Sequence, residues 1–275
     1  MSSSSHLHDG VVGFEKKADE YDRARPRYPA AVVTDVLAVT PEPERVLDLA
    51  AGTGIFTRVL IAALNEAFPR NDIVVHVVEP VDAMRTKLSQ TTDGVAEAMP
   101  GTAQDIPVPD GFYDQVWIAQ AFHWFANIES LREIRRVLRP GGALVLVWNL
   151  EDKTAAPWLG ALRDLYEEYD VGVPQYRRGT WKEVWATPEA KELFGDLVQR
   201  DYTHSQARSR REIHDLVASK SYVAKHEGLI EKLGPQIDAI LNAAFADKQD
   251  HDASIDVPYV TSSWRAEAAM YRGCQ

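Results

Sequence analysis

Residues Val46 to Phe56 read VLDLAAGTGIF: a short apolar run, an acid set inside its end, a turn of small residues, and the start of a second apolar segment. A strand, a glycine-rich turn and a helix in succession present backbone N–H groups to a ligand. Gly52 and Gly54 remove side chains where the backbone must come close, and glycine accepts positive φ there. A nicotinamide dinucleotide fingerprint would need a third glycine three residues after Gly54, where this chain has Thr57. Asp48 precedes the glycines, and a second acid, Glu79, closes the next apolar run. A carboxylate there can accept from two adjacent ribose hydroxyls, the donor pair of an adenosine. The blander readings are a helix cap for Asp48 and a solvated strand end for Glu79.

Outward from this stretch, strand and helix patterns alternate. Strands are expected at 45–49, 73–78, 95–99, 113–119 and 143–148, and helices at 55–68, 81–90 and 128–138, the last stopped by Pro140-Gly141-Gly142. Near-continuous apolar strands separated by helices imply a parallel sheet covered on both faces. The fold expected is α/β, a doubly wound, mostly parallel seven-stranded sheet. Beyond Trp148 the rhythm turns helical at 157–169, 180–194 and 210–241. Two late strands, at 197–203 and 255–264, are expected to complete the sheet, partly antiparallel. The organisation read is a disordered tail at 1–13 and a single domain at 14–275. That domain divides into an N-terminal helical lid (14–40), a cofactor-binding core (44–148), inserted helices with a late strand (151–254) and a last strand (255–275).

Composition narrows the function. The 275 residues carry a formal net charge of −11, which disfavours a phosphate backbone as partner. The basic clusters Arg208, Arg210, Arg211 and Arg135, Arg136, Arg139 read as solvated helix faces. No run approaches the roughly 18 apolar residues of a membrane span. The single cysteine, Cys274, fits a reducing, cytoplasmic setting and excludes an internal disulfide. No His/Asp/Glu cluster has ligand spacing, and His6 and His8 lie in the tail, so no metal is expected.

The stretch VLDLAAGTGIF resembles the first motif of class I S-adenosylmethionine-dependent methyltransferases, and Val78-Glu79-Pro80 their acidic second-strand end. Ala50 stands where the family's alternating glycines often begin. Residues 101–107 (GTAQDIP) resemble the segment after the third strand, where Ala103 and Gln104 would flank the adenine with Asp105 beside them. EIRRVLRPGG, residues 133–142, resembles the helix and turn before the fifth strand. The resemblance implies S-adenosyl-L-methionine as cofactor, held by Asp48, Ala50, Gly52, Thr53, Gly54, Glu79, Pro80, Met84, Ala103, Gln104, Asp105, Gln120 and Ala121.

The substrate side is read from two segments. FEKKADEYDRARPRYP, residues 14–29, resembles the lid of the small-molecule branch that includes trans-aconitate methyltransferases. It implies Tyr21 and Arg25 at the amino-acid end of the cofactor, where a guanidinium suits a carboxylate, with Tyr28 on the substrate. The segment 119–125 (AQAFHWF) follows the fourth strand, at the edge where open α/β sheets bind ligands. His123 is the candidate general base, and His123, Trp124 and Trp148 are candidate substrate contacts. Packing is the bland alternative for all three. Trp158, Tyr176, Trp181, Trp185 and Tyr222 are further candidate aromatics. The expected activity is methyl transfer to a small molecule, O-methylation of a carboxylate or enolic hydroxyl. The alternatives are C-methylation of a ring and a non-methylating cofactor-binding relative.

Overall fold

The computed structural model describes residues 18–70, 72–248, 250 and 252–270. The tail, Phe14 and Cys274 lie outside the described residues. Two short helices, α1 (Ala18–Ala24) and α2 (Ala31–Leu37), precede the sheet. The strands are β1 (Arg45–Leu49), β2 (Val74–Val78), β3 (Glu97–Met99), β4 (Tyr113–Ala119), β5 (Leu138–Glu151), β6 (Val198–Arg208) and β7 (Ile255–Glu267). Their order in the sheet is β3-β2-β1-β4-β5-β7-β6. β1 to β5 pair in parallel. β7 reverses: Gly141 donates to Ala268 O and Asp152 to Pro258 O, so rising numbers on β5 meet falling numbers on β7. The chain builds outward from β1 through β2 and β3, then resumes on β1's other side with β4. The switch point therefore lies at the carboxyl ends of β1 and β4, where Asp48 pairs with Trp117.

The described chain divides into two compact units. The core unit comprises Tyr28–Trp148, Gln175–Tyr202 and the described residues from Ser262 onward, and the helical unit the described residues up to Arg27, Asn149–Pro174 and Thr203–Thr261. In the core unit the strand period of two assigns alternate residues to opposite faces. Leu47, Leu49, Val116, Ile118, Leu144 and Leu146 pack with α5 (Ile128–Val137). Val46, Val75, Val77, Trp117, Val145 and Val147 pack with α3 (Ile55–Ala67). Both faces are apolar, which is why the strands read as nearly continuous apolar runs. α4 (Asp82–Thr91) follows β2, and α7 (Pro188–Leu193) precedes β6. In the helical unit, α6 (Pro157–Glu167), α8 (Arg210–Ala218), α9 (Ser221–Ala224) and α10 (Leu229–Ala244) enclose a core of Leu162, Tyr166, Ile213, Val217, Leu233, Ile237 and Tyr259.

Several expectations need correction. Thr180–Ala186 is 3-10 rather than α-helix, and the expected helix 210–241 is three helices, broken after Ala218 and again before Leu229. β6 runs five residues past Thr203. The arginine clusters are only partly solvated helix faces: Arg211 is exposed on α8, and Arg136 and Arg139 are half-buried. Arg208 ends β6 and is buried, Arg210 is buried and donates to Leu241 O, Phe245 O and Lys248 O, and Arg135 is buried and donates to Leu138 O and Ala269 O. A guanidinium's five donors can satisfy carbonyls that chain ends leave unpaired, a use that charge clustering in sequence does not reveal.

Candidate active site

The loop after β1 carries three left-handed residues in alternation, Ala50 at φ 59°, Gly52 at 58° and Gly54 at 82°. Ala50 holds this conformation while its N–H donates to Val78 O at 2.7 Å. An alanine at positive φ is uncommon, and such local strain collects at functional sites. A Cβ at Gly52 would meet nothing within 4 Å, so that side of the loop is open. At Gly54 a Cβ would lie 3.0 Å from Leu88 Cγ, so glycine is required there for α3 to start against α4.

Asp48 is fully buried at the end of β1. Its Oδ2 accepts from Thr57 Oγ1 at 2.7 Å, while Oδ1 is buried without a partner. Burial pushes its carboxyl up to about 7; the Thr57 bond opposes this and the Glu79 charge adds to it. Glu79 accepts from Gly52 N at Oε2 and from Val81 N at Oε1, both at 3.0 Å. Burial also raises Glu79, against the pull of these two N–H groups and the Arg85 charge. Each carboxylate oxygen keeps a second acceptor position. Among the described residues no cation forms an ion pair with either acid. Thr53 and Met84 are buried nearby in sequence, and Pro80 is exposed.

The segment after β3 forms a tight turn in which Thr102 and Asp105 exchange backbone hydrogen bonds of 3.1 and 3.2 Å. Ala103 is buried, Gln104 Nε2 donates to Ser130 Oγ at 2.8 Å, and Asp105 is exposed. After β4, Gln120 is also left-handed, at φ 58°, and donates to Val147 O. Ala121 then leads into a single 3-10 turn, Phe122–Trp124.

Within that turn His123 Nδ1 accepts from Trp148 Nε1 at 3.1 Å. An indole N–H can only donate, so the Nδ1 lone pair is engaged and the neutral ring carries its proton on Nε2. Trp148 stacks on Tyr176 with centroids 4.4 Å apart and packs on Trp181 at 4.6 Å. Trp264 Nε1 donates to Tyr176 Oη. Trp181 and Trp185 each bury an indole N–H without a partner. Tyr28 meets Phe56 edge-on at 5.2 Å, and Trp124 lies half-buried beside His123. Trp158 and Tyr222 pack in the helical unit's core. Tyr21 and Arg25 belong to the helical unit as well: the Arg25 guanidinium lies 4.8 Å over the Tyr21 ring and donates to Ser219 O.

The structure thus joins Gly52 with Glu79 directly, sets Asp48 where it feels the Glu79 charge, and joins His123 with Trp148. Gly101, whose Cβ position is 3.0 Å from Val78 Cγ1, ties the 102–105 turn to the end of β2. Sequence reasoning missed Thr57 as the partner of Asp48, although it stood where a third glycine was sought. It also missed Arg85, which donates to Glu79 O, and Trp264.

Residues 47–146 match the family model of a methyltransferase domain. An uncharacterized methyltransferase-like protein of Schizosaccharomyces pombe is 35% identical over 232 residues, covering 82% of this chain and 85% of that one. The chain belongs to the methyltransferase family. A solved chain described as a type II methyltransferase, from Anaeromyxobacter dehalogenans, shares the fold at 21% identity, with a TM-score of 0.63 over 90% of this chain and 97% of that one. A malonyl-[acyl-carrier protein] O-methyltransferase of Methylococcus capsulatus is 29% identical over 139 residues, 50% of this chain and 45% of the relative. The strained loop of this methyltransferase therefore lies inside the segment that defines the family. Among its described residues no helix is long and apolar enough to cross a membrane, and no group of three His, Cys, Asp or Glu is gathered to hold a metal ion.

Proposed function

We propose that this enzyme uses S-adenosylmethionine to methylate the oxygen of a small organic acid or enol. The observation that carries the cofactor reading is the pair of buried carboxylates at the ends of β1 and β2, Asp48 with an Oδ1 that lacks any donor and Glu79 bonded to Gly52, whose Cβ side is open. A buried acceptor without a donor is costly, and a ligand bringing N–H and O–H groups relieves it. Glu79 would take the ribose hydroxyls, Asp48 the donors at the other end of the cofactor's nucleoside and amino-acid frame, and Gly52 and Gly54 the close approach. Ala103, Gln104 and Asp105 are assigned to the adenine, and Gln120 and Ala121 to the loop below the reacting methyl. Bound there, the cofactor supplies an activated methyl group, so the protein's task is proximity and orientation.

His123 is not assigned as the base. With Nδ1 engaged by Trp148, the neutral ring has no free lone pair to take a proton. An acid acceptor fits this arrangement, since a carboxylate arrives deprotonated and needs no base. The likeness of the N-terminal segment to the trans-aconitate branch and the half-chain relative that methylates a malonyl group support the same reading. Trp124, Trp148 and Tyr28 are assigned to the acceptor pocket.

The test is incubation of the purified enzyme with S-adenosylmethionine and a panel of small carboxylic acids, enols and quinols, following S-adenosylhomocysteine and the methylated product by mass spectrometry. Methyl esters or enol ethers are expected. Methylated ring carbon alone would replace this reading with C-methylation, and cofactor binding without turnover on any class would replace it with a non-methylating relative.

A further inference from the structure

Thr57 lies in the first turn of α3 and is fully buried. From there its Oγ1 reaches back to the end of β1 and donates to Asp48 Oδ2 at 2.7 Å, across the left-handed residues Ala50, Gly52 and Gly54. Other bonds hold that loop in shape. Ala50 N–H donates to Val78 O, Gly52 N–H to Glu79 Oε2 and Gly54 N–H to Ala51 O, while Thr91 Oγ1 and Arg58 Nη1 both donate to Thr53 O. The Thr57 hydroxyl is therefore free of that task.

Its bond makes the two oxygens of Asp48 unequal: Oδ2 is engaged, and Oδ1 is buried without a donor. A carboxylate that could turn about its Cβ–Cγ bond would offer either oxygen, and a donor fixed to one of them sets the plane of both. The groups packed around Asp48 do not supply another donor. From β2 comes Glu79, whose charge opposes a second negative charge, and from β4 comes Trp117, level with Asp48 in the sheet. Arg58 of α3 turns to Thr53 O, and Arg85 of α4 donates to Glu79 O and pairs with Asp82. Thr57 is thus the one side chain among the described residues that bonds Asp48, and a donor to a carboxylate favours its ionised form.

We propose that Thr57 is a positioning residue for the cofactor: its hydroxyl clamps Oδ2 of Asp48 and leaves Oδ1 as the oxygen that receives the ligand's donors. The role rests on the cofactor reading above and adds a residue that touches no ligand itself. The hydroxyl acts on both the direction and the charge of Asp48, so its loss weakens binding most where Asp48 is hardest to ionise.

The test is calorimetric titration with S-adenosylhomocysteine from pH 6 to pH 9, on wild type and on Thr57→Val, Thr57→Ala and Thr57→Ser, with circular dichroism confirming the fold of each. Valine keeps the branched shape and removes the donor. Relative to wild type at the same pH, Thr57→Val and Thr57→Ala should bind about tenfold more weakly at pH 6 to 7, the scale of one hydrogen bond to a charged group. That deficit should narrow by pH 9, where the carboxylate ionises without help, and Thr57→Ser should recover most of the affinity. Carbon-13 carboxyl shifts of the ligand-free protein read the same bond directly: Asp48 should titrate at higher pH in Thr57→Val than in wild type and return in Thr57→Ser. Wild-type affinity in both donorless variants overturns the proposal, and so does a deficit equal at pH 6 and pH 9 with the Asp48 titration unmoved, since Thr57 then serves packing alone. Failure of both donorless variants to fold also overturns it, by assigning the hydroxyl to the fold. In each of these cases wild type still binds S-adenosylhomocysteine. No binding by folded wild type removes the cofactor reading itself.

Discussion

The two units differ in the sign of the charges they leave without an ion pair. At the strand ends of the core unit, Asp48 and Glu79 are acids without an ion pair. In the helical unit, Arg25 and Arg208 are bases without one, beside a Glu151–Lys220 pair that is complete. A complete buried pair needs no ligand. An incomplete group states by its sign what chemistry would complete it, which for Asp48 is hydrogen-bond donors.

The sharpest way to break this contrast is to spoil the complete pair. Burial pushes the Glu151 carboxyl up, but the bonded Lys220 ammonium more than offsets that and holds it at about 2. Glu151→Gln leaves a buried ammonium uncompensated and should cost about 3–5 kcal/mol in urea unfolding at pH 7. The folded value lies below the unfolded one, so wild type should keep this contribution above about pH 4.5 and lose it as pH falls toward 2. An unchanged midpoint would mean the pair is not what stabilises that interior.

Asp48 should behave in the reverse sense. Its folded value, about 7, lies above the unfolded 3.8. The native state therefore binds the extra proton, and ligand-free stability should fall as pH rises from 4 to 7. Asp48→Asn should stabilise the ligand-free protein by about 2–4 kcal/mol at pH 8, with the gain shrinking toward pH 4. A variant less stable than wild type at pH 8 would show that Asp48 serves the fold and not a ligand.

The smallest effect concerns His123. Trp148→Phe removes the hydrogen bond together with part of a buried ring packed on Tyr176 and Trp181, so the ring tautomer of His123 and not stability is the readout. Imidazole nitrogen-15 shifts should show the Nε2–H form dominant in wild type and the preference lost in the variant. A wild-type ring protonated on Nδ1 would restore His123 as a candidate base.

The parallel half of the sheet and its glycine loop were legible because they are local. Strand, turn and helix patterns are written in consecutive residues, and Asp48, Gly52, Gly54 and Glu79 sit at fixed places in them. The 3-10 turns at 180–186, the split of 210–241 into three helices and the burial of Arg135, Arg208 and Arg210 were not legible. Each depends on partners far along the chain: Arg208 on Tyr259, Arg210 on the end of α10, Arg135 on Ala269. The Trp148–His123 bond is of the same kind, joining strand β5 to the turn after β4. What pairs at long range can be suspected from composition but not assigned.

The measurement that tests most directly whether unmatched acids mark the cofactor site is calorimetric titration with S-adenosylhomocysteine at pH 6 and pH 8, in buffers of different ionisation enthalpy. If the ligand engages ionised Asp48, affinity should rise about tenfold between the two, with release of close to one proton at pH 6 and little at pH 8. Affinity independent of pH with no proton release, or no binding by the folded protein, would contradict that assignment.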